Sequence, residues 1–320
     1  MNSVIVTGAS GFVGSHFVRQ LSCLGIPTLA LIRKPLNQIS PSRIVLSPSV
    51  TYLKLDLKDI SSLASSARNY WDHFSNSIFF NLAWGGVESL SDLDVTHQLH
   101  NVSYSLQAYQ TADMLGCIKF VQVCTMEEAF CKSYLTLDHN ADTQYNRHVI
   151  YALSKLVARN ALSLYSIDAR LPIVFATNSH VMGPDDDKDS FLQVTIKKLV
   201  ENQELIFSSG EQMFDVISVS DCVQAYIAIG RHGRDKANYC VGSGSPRPLR
   251  SYIEELSKIF PSPRTLGFGL LSYNDISLTT ANFDITSLNF HTGFVPQQSF
   301  RDAALAVYEH LVETQQINVT

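Results

Sequence analysis

The fold is decided by one stretch near the start of the chain, Val4-Ile-Val-Thr-Gly-Ala-Ser-Gly-Phe-Val-Gly14. Its β-branched beginning predicts a strand, and the apolar spacing that follows predicts a helix. Gly8 allows a tight turn after the strand, Gly11 lets the backbone approach a pyrophosphate, and Gly14 lets helix and strand pack closely. The stretch therefore predicts a dinucleotide-binding turn, with a ligand-free turn as the alternative. The missing Gly-Lys-Ser/Thr excludes an ATP-type phosphate loop.

The composition is that of an ordinary globular protein. The chain has 320 residues, 45% of them hydrophobic and 17% charged, with a net charge of -5. Scattered basic residues and a negative balance disfavour nucleic-acid binding. Six cysteines without a CxxC pair indicate free thiols in a reducing cytosol. We see no signal peptide and no apolar run near the roughly 20 residues that cross a bilayer. We therefore expect a cytoplasmic protein without membrane partners.

Strand and helix patterns alternate through the first half of the chain, which predicts an α/β fold: a Rossmann, doubly wound parallel sheet. The predicted strands are Val4–Thr7, Thr28–Ile32, Val50–Leu55, Ser77–Leu82, Ile118–Cys124 and Ile173–Thr177. The predicted helices are Phe12 to Leu24, Ser62–Trp71, Gln98–Leu115 and Tyr151–Tyr165.

The alternation loosens after Gly183-Pro184, where helices are expected at about 190–202, 220–231 and 248–260. We therefore predict a dinucleotide-binding domain over residues 1–180, with elements near 215–245 returning to it. Residues 181–320 are then mostly a smaller C-terminal substrate-binding domain.

The end of the second strand bears on which dinucleotide is bound. NAD sites place an acid there to hold the ribose 2′-hydroxyl, whereas NADP sites place a cation. This strand ends in Ile32-Arg33-Lys34. The pattern favours NADP as cofactor, with NAD as the alternative. A solvated basic turn with no role in cofactor binding is the other interpretation of Arg33 and Lys34.

Tyr151 and Lys155 lie four residues apart, on one face of a predicted helix. A nearby ammonium favours the phenolate, so we expect a lowered Tyr151 pKa. Such a tyrosine can give and recover a proton at a carbonyl or hydroxyl. The pair in isolation is compatible with chance, but it opens a helix beside the cofactor edge of the sheet.

With these motifs the whole chain resembles the extended short-chain dehydrogenase/reductases, a family of nucleotide-sugar epimerases, 4,6-dehydratases and keto-reductases. Tyr151 and Lys155 match the family's YxxxK pair. Further matches are Thr7–Gly14, Leu55-Asp56-Leu57, Asn81-Leu-Ala-Trp84, Asn101, Val181-Met-Gly-Pro184, Phe214 through Asp221, Tyr239 through Gly244, and Asp284 through Pro296.

The resemblance implies roles for particular residues. It makes Thr125, Tyr151 and Lys155 catalytic, although Cys124 could displace Thr125 in register. Trp84, Glu127, His180 and Arg247 are implied as substrate-binding. The residues implied for the dinucleotide are Thr7, Gly8, Ser10, Gly11, Phe12, Val13, Gly14, Arg33, Lys34, Asp56, Leu57, Leu82, Ala83, Trp84, Asn101, Tyr151, Lys155 and Val181.

Three departures from the family pattern concern the substrate. Met126 replaces the acid of the dehydratases and cannot deliver a proton. His180 stands where the family usually has Asn. Phe214 replaces the Arg that grips the substrate diphosphate, so Arg247 or Arg250 would have to substitute.

These features favour a reductase of a 4-keto deoxysugar nucleotide. A 4-epimerase with permanently bound NAD is the alternative, and a 4,6-dehydratase is less favoured. An inert dinucleotide-sensing regulator is the hypothesis from another class, and the retained Tyr/Lys pair speaks against it. The resemblance also suggests a homodimer. His97 and His100 lack a clear third ligand, so we expect no metal.

Overall fold

A computed structural model describes residues 1–68, 71–86, 94–131, 149–186, 190–263, 265–272, 278–314 and 316–317. Its strands are β1 (Ser3–Thr7), β2 (Thr28–Ile32), β3 (Val50–Lys54), β4 (Ser77–Asn81), β5 (Lys119–Thr125), β6 (Ile173–Asn178), β7 (His180–Met182), β8 (Leu205–Ile206), β9 (Met213–Phe214), β10 (Val216–Ser218), β11 (Asn238–Val241), β12 (Arg247–Pro248) and β13 (Leu266–Gly267).

Seven of these strands form one parallel sheet in the order β11-β6-β5-β4-β1-β2-β3. The chain leaves β1 towards β2 on one side and returns to β4 on the other. A crevice forms at the carboxyl ends of the strands where the order reverses in this way. The predicted Rossmann α/β class is confirmed.

The helices are α1 (Phe12–Cys23), α2 (Leu63–Ala67), α3 (Val95–Met114), α4 (Val149–Tyr165), α5 (Phe191–Val200), α6 (Val219–His232), α7 (Leu249–Ile259), α8 (Thr286–Thr292) and α9 (Phe300–Glu313). Most predicted bounds hold to within a few residues. The predicted helix Ser62–Trp71 is wrong in extent, since a 3-10 turn over Leu57–Ser62 leads into the short α2. The Asp56 carboxylate accepts the Lys58 N–H at 3.2 Å, which starts the winding earlier.

Apolar side chains cover both faces of the sheet. Successive strand residues point to opposite faces, so Phe79 and Phe80 of β4 enter different cores. Phe80 packs with Phe17 of α1, their ring centroids 4.7 Å apart. Phe79 stacks on Phe120 of β5 at 5.3 Å. Two-sided burial explains why these strands are continuous apolar runs in the sequence.

A third apolar cluster is built from later parts of the chain, including Met182, Leu192, Ile196, Tyr252, Leu256, Ala304 and Leu311. Short strand pairs, β7 with β10, β9 with β12 and β8 with β13, accompany it. Strand β11 pairs with β6 in the main sheet, and α6 packs on α1. The division at residue 180 stays a prediction. Among the described residues, no helix combines the length and apolarity needed to cross a membrane.

Candidate active site

The glycine turn between β1 and α1 is fixed from both sides. Gly8 has a φ of +67°, a left-handed conformation that favours glycine. A Cβ on Gly14 would lie 2.1 Å from the carbonyl oxygen of Gly8, so only glycine lets α1 approach this closely. The Thr7 hydroxyl donates to the Asn81 side-chain oxygen at 2.7 Å and accepts the Ala83 N–H at 3.0 Å. These bonds tie the turn to the end of β4.

The start of α1 suits an anion. Gly11 is the N-cap and offers no side chain to bond the first N–H groups, and the first turn holds no acidic residue. Free N–H groups and the helix dipole favour a diphosphate at such a position. Together with the bare glycine backbone, this arrangement fits a dinucleotide.

One cleft of about 1340 Å³ opens beside this turn at the carboxyl edge of the sheet. Every residue that the resemblance implies for the dinucleotide lines it, from Thr7 and the glycines to Val181. The three implied catalytic residues, Thr125, Tyr151 and Lys155, line it too. The fold thus gathers widely separated parts of the chain into one cavity.

Four basic side chains from the segments after β2 and β3 line this cleft. Arg33 and Lys34 follow the strand, as the sequence predicts, and Arg43 and Lys58 join them. Arg43 lies in a 3-10 turn, Pro41–Arg43, and donates to the carbonyl oxygen of Asp185. Sequence reasoning missed Arg43, because the loop between β2 and β3 carries no motif.

The implied catalytic residues meet at the end of β5. Thr125 is its last residue, and its hydroxyl hydrogen-bonds the phenol of Tyr151 on α4. One turn further along α4, the Lys155 ammonium donates to the Val123 carbonyl oxygen at 3.3 Å. Lys155 is buried. A proton-donating phenol, a second hydroxyl and a cation therefore share one wall of the cleft.

The expected lowering of the Tyr151 pKa is wrong for this state of the protein. Burial of the phenol raises its pKa above the ordinary value, and the bond from Thr125 opposes that rise only partly. The negative charges of Glu127 and Glu128 act in the same direction as burial. Tyr151 is therefore held as the neutral phenol, the form that can give a proton.

An ion pair between a buried carboxylate and a half-buried guanidinium fixes this arrangement and was not found from the sequence. The Glu128 carboxylate lies 2.7 Å from Nε of Arg159 on α4, and its other oxygen accepts the Thr125 N–H at 3.3 Å. The pair links the turn after β5 to the helix that carries Tyr151. Its two partners belong to different elements, so no local spacing reveals it.

The loop after β4 is held by two side chains of α3. Asn101 accepts the Gly85 N–H and donates to the Gly85 carbonyl, both at 2.9 Å. The buried Gln98 accepts the Trp84 indole N–H at 2.7 Å. The resemblance pointed to Asn101 and Trp84, whereas Gln98 was missed because a lone amide on a helix carries no motif.

A model of the family described as "NAD dependent epimerase/dehydratase family" matches residues 4–242. The chain belongs to this family.

Two proteins of known activity are similar to this chain over most of their length. CDP-abequose synthase of Salmonella typhimurium is 25% identical, over 87% of this chain and 89% of that protein. dTDP-4-dehydro-6-deoxy-D-allose reductase of Streptomyces bikiniensis is 24% identical, over 72% and 73%. Among solved structures, UDP-glucose 4-epimerase of Thermotoga maritima superposes with a TM-score of 0.78, covering 98% of this chain and 99% of that one at 18% identity. That likeness concerns the fold.

Three residues implied for the substrate of this epimerase/dehydratase family member, Glu127, His180 and Arg247, are not among the described residues that line the cleft. The His180 ring lies 5.1 Å from that of Phe214. Its Nε2 atom is buried and has no hydrogen-bond partner among the residues that the structure describes. Burial lowers the pKa of His180 to about 4, so the imidazole is neutral at pH 7. His180 and Phe214 thus form an uncharged aromatic pair.

The two arginines considered as replacements for a diphosphate-gripping Arg already have partners. Arg247 lies 2.5 Å from a Glu255 carboxylate oxygen, and its guanidinium stacks 3.9 Å from the Tyr252 ring centroid. Arg250 pairs with Glu254 at 2.8 Å. Their roles in substrate binding stay predictions, and the local charge of each guanidinium is already balanced.

Proposed function

We propose that the chain is an NADPH-dependent reductase of a 4-keto deoxysugar nucleotide. The meeting of Thr125, Tyr151 and Lys155 beside the glycine turn is the observation that carries the proposal. Similarity to a protein named as a 4-dehydro-6-deoxysugar nucleotide reductase supports it. Met126, next to Thr125, cannot act as the acid of a water elimination, which speaks against a dehydratase.

In the proposed reaction the bound reduced dinucleotide supplies a hydride to the sugar carbonyl carbon. Tyr151, kept neutral by its burial, donates its phenolic proton to the carbonyl oxygen as negative charge develops there. Thr125 hydrogen-bonds the same oxygen and orients it. Lys155, fixed at the end of β5 by the Val123 carbonyl, holds the ribose of the dinucleotide and stabilises the tyrosinate left behind.

We propose NADP rather than NAD because basic side chains from the segments after β2 and β3 line the cleft. Arg33, Lys34, Arg43 and Lys58 line it, and a 2′-phosphate is an anion that guanidinium and ammonium groups bind well. No acidic side chain follows Ile32 to accept the ribose 2′-hydroxyl.

The proposal is tested with purified protein, NADPH and a 4-keto-6-deoxysugar nucleotide. We expect one NADPH oxidised for each sugar reduced, and a loss of about 10²- to 10⁴-fold in kcat for Tyr151→Phe. Tyr165→Phe, at the exposed end of the same helix, is the matched control and keeps its rate. Tightly co-purified NAD(H) with interconversion of 4-epimers would instead establish the epimerase.

We also propose that the protein is a homodimer through α3 and α4, which pack side by side. Both helices expose apolar side chains, with Leu99 51%, Val157 48% and Leu164 70% accessible. Sedimentation of the native protein is expected to give twice the chain mass. Val157→Glu with Leu164→Glu is expected to give monomers, whereas Leu270→Glu, 67% accessible elsewhere, leaves the mass unchanged. A native monomer contradicts this proposal.

A further inference from the structure

Trp84 touches both members of the Tyr/Lys pair. Its ring stands edge-on to that of Tyr151, with centroids 6.3 Å apart and planes at 88°. The Lys155 ammonium lies over the face of the same indole, 4.2 Å from its centroid. One side chain from the loop after β4 therefore contacts two functional groups of α4.

The indole is held in this position from behind. Its N–H donates to Gln98 at 2.7 Å, and the Gln98 amide donates in turn to the Gly86 carbonyl at 3.0 Å. Gln98 is 1% exposed, so water does not compete for these bonds. Rotating the ring away from Lys155 would leave the Gln98 oxygen without its donor. The loop and helix thus fix the indole as a rigid surface.

Burial of Lys155 strengthens the contact between its ammonium and the Trp84 indole. The side chain is 6% exposed, and a buried ammonium loses most of its hydration. The π face of a tryptophan attracts a cation more strongly when the cation is desolvated. Ordering a long lysine side chain also costs conformational entropy. The contact with the indole orders Lys155 before any ligand binds, so this cost does not arise again during the reaction.

We infer that Trp84 is a positioning residue of the reaction, whose indole, locked by Gln98, holds the Lys155 ammonium and the Tyr151 ring in their working places. The catalytic roles of Lys155 and Tyr151 rest on the proposed function. The contact between Trp84 and Lys155 is independent of that proposal.

Among the described residues, charged and titratable groups near Lys155 come from β5 and the turn that follows it, besides α4 itself. Cys124 of β5 and Glu128 of the following turn interact electrostatically with this region, as does Arg159 of α4. On the preceding turn of α4, Tyr151 also interacts with the carboxylates of Glu127 and Glu128. Trp84 adds no charge, so changing it alters the environment of the ammonium without altering this group of charges.

The contact can be tested without turnover, because Trp71 is the other tryptophan of the chain. In a Trp71→Phe background all indole emission comes from Trp84. A nearby ammonium quenches indole emission, so we expect Lys155→Met to raise it, and Lys198→Met on α5, the matched control, to leave it unchanged. Equal emission in all three proteins overturns the contact, whatever the substrate proves to be.

The positioning role is tested by turnover with Trp84→Leu and Trp84→Phe. Cation–π contacts contribute about 0.5–2 kcal/mol, so we expect kcat of the leucine variant to fall roughly 2- to 30-fold. The fall of kcat at alkaline pH should begin at lower pH in this variant, because the Lys155 ammonium loses the indole face that stabilises its charged form. Phenylalanine keeps a π face and should restore the original pH dependence. A fall in rate with an unchanged pH dependence in Trp84→Leu overturns the inference and leaves Trp84 a structural residue.

Discussion

The Thr125 hydroxyl hydrogen-bonds the Tyr151 phenol, joining the end of β5 to the first turn of α4. The neighbouring Cys124 is 3% exposed, and burial raises the pKa of its thiol well above the ordinary range. Both residues line the cleft, and Tyr151 takes its side-chain hydrogen bond from Thr125, whereas Cys124 acts on its pKa only through its charge. This hydrogen bond supports the proposed assignment of Thr125, rather than Cys124, as the residue that orients the substrate oxygen.

Thr125→Val should therefore lower kcat by about 10²-fold, the effect typical of removing one donor to a developing oxyanion. Cys124→Ala is the matched control at the adjacent position and should keep most of the rate. NADPH oxidation measured at saturating substrate checks both. Loss of activity in Cys124→Ala with normal activity in Thr125→Val contradicts the assignment.

His180 should make the protein less stable in mild acid. Its folded-state pKa is lowered to about 4 from 6.5, so between these values the unfolded chain binds a proton that the folded chain does not. Stability from this group is complete above pH 6.5 and falls as the pH drops towards 4. The expected loss from pH 7 to 5 is about 2 kcal/mol. Urea unfolding at both pH values measures it, and His180→Asn should remove this share of the pH dependence.

Alanine substitutions at two glycines with the same left-handed backbone conformation distinguish backbone strain from an effect on dinucleotide binding. Gly8 and Gly25 have φ values of +67° and +66°, but a Cβ on Gly8 would lie 3.0 Å from the Ala83 nitrogen, whereas Gly25 faces open space. Alanine at either site should cost about 1–2 kcal/mol of stability. Only Gly8→Ala should also weaken dinucleotide binding, by roughly tenfold or more, because its Cβ displaces the turn. Thermal unfolding and calorimetric titration measure the two effects, and equal affinities would speak against the turn as the diphosphate site.

The basic side chains that line the cleft should decide the choice of dinucleotide. Replacing both Arg33 and Lys34 by Ala removes charge-assisted hydrogen bonds to a 2′-phosphate. We expect the Kd of NADPH to rise about 10- to 100-fold and that of NADH to change little. Arg68→Ala, outside the residues that line the cleft, is the control. If NADPH and NADH bind the unmodified protein equally well, the NADP proposal is wrong.

Arg247 should prove more important for stability than for substrate affinity. Its guanidinium is paired with Glu255 and lies over the neighbouring rings of Tyr252 and Phe300, 3.9 and 5.3 Å from their centroids. Arg247→Met should cost about 1–2 kcal/mol of stability and leave KM for the sugar nucleotide nearly unchanged. A large rise in KM with unchanged stability would show instead that Arg247 grips the substrate.

The order of elements was predictable because it depends on local patterns. Apolar runs, helical periodicity and the glycines from Gly8 to Gly14 act within a few residues of each other, and they indicated the parallel sheet and its dinucleotide turn. The extent of α2 was not predictable in this way. There, the Asp56 carboxylate bonds the backbone of Lys58 and competes with the regular helix.

The sequence by itself determined the sheet, the turn and the types of residue at the carboxyl ends of its strands. Tertiary structure alone decided the state of those residues. Burial, which depends on packing from distant segments, raises the Tyr151 pKa where the nearby lysine suggested a lowering. Likewise, only the folded chain brings Trp84 onto Lys155 and balances the charge of Arg247 with Glu255. The spacing of these residues along the chain carries no periodic signal. Their contacts therefore form only when the chain has folded and distant segments lie next to each other.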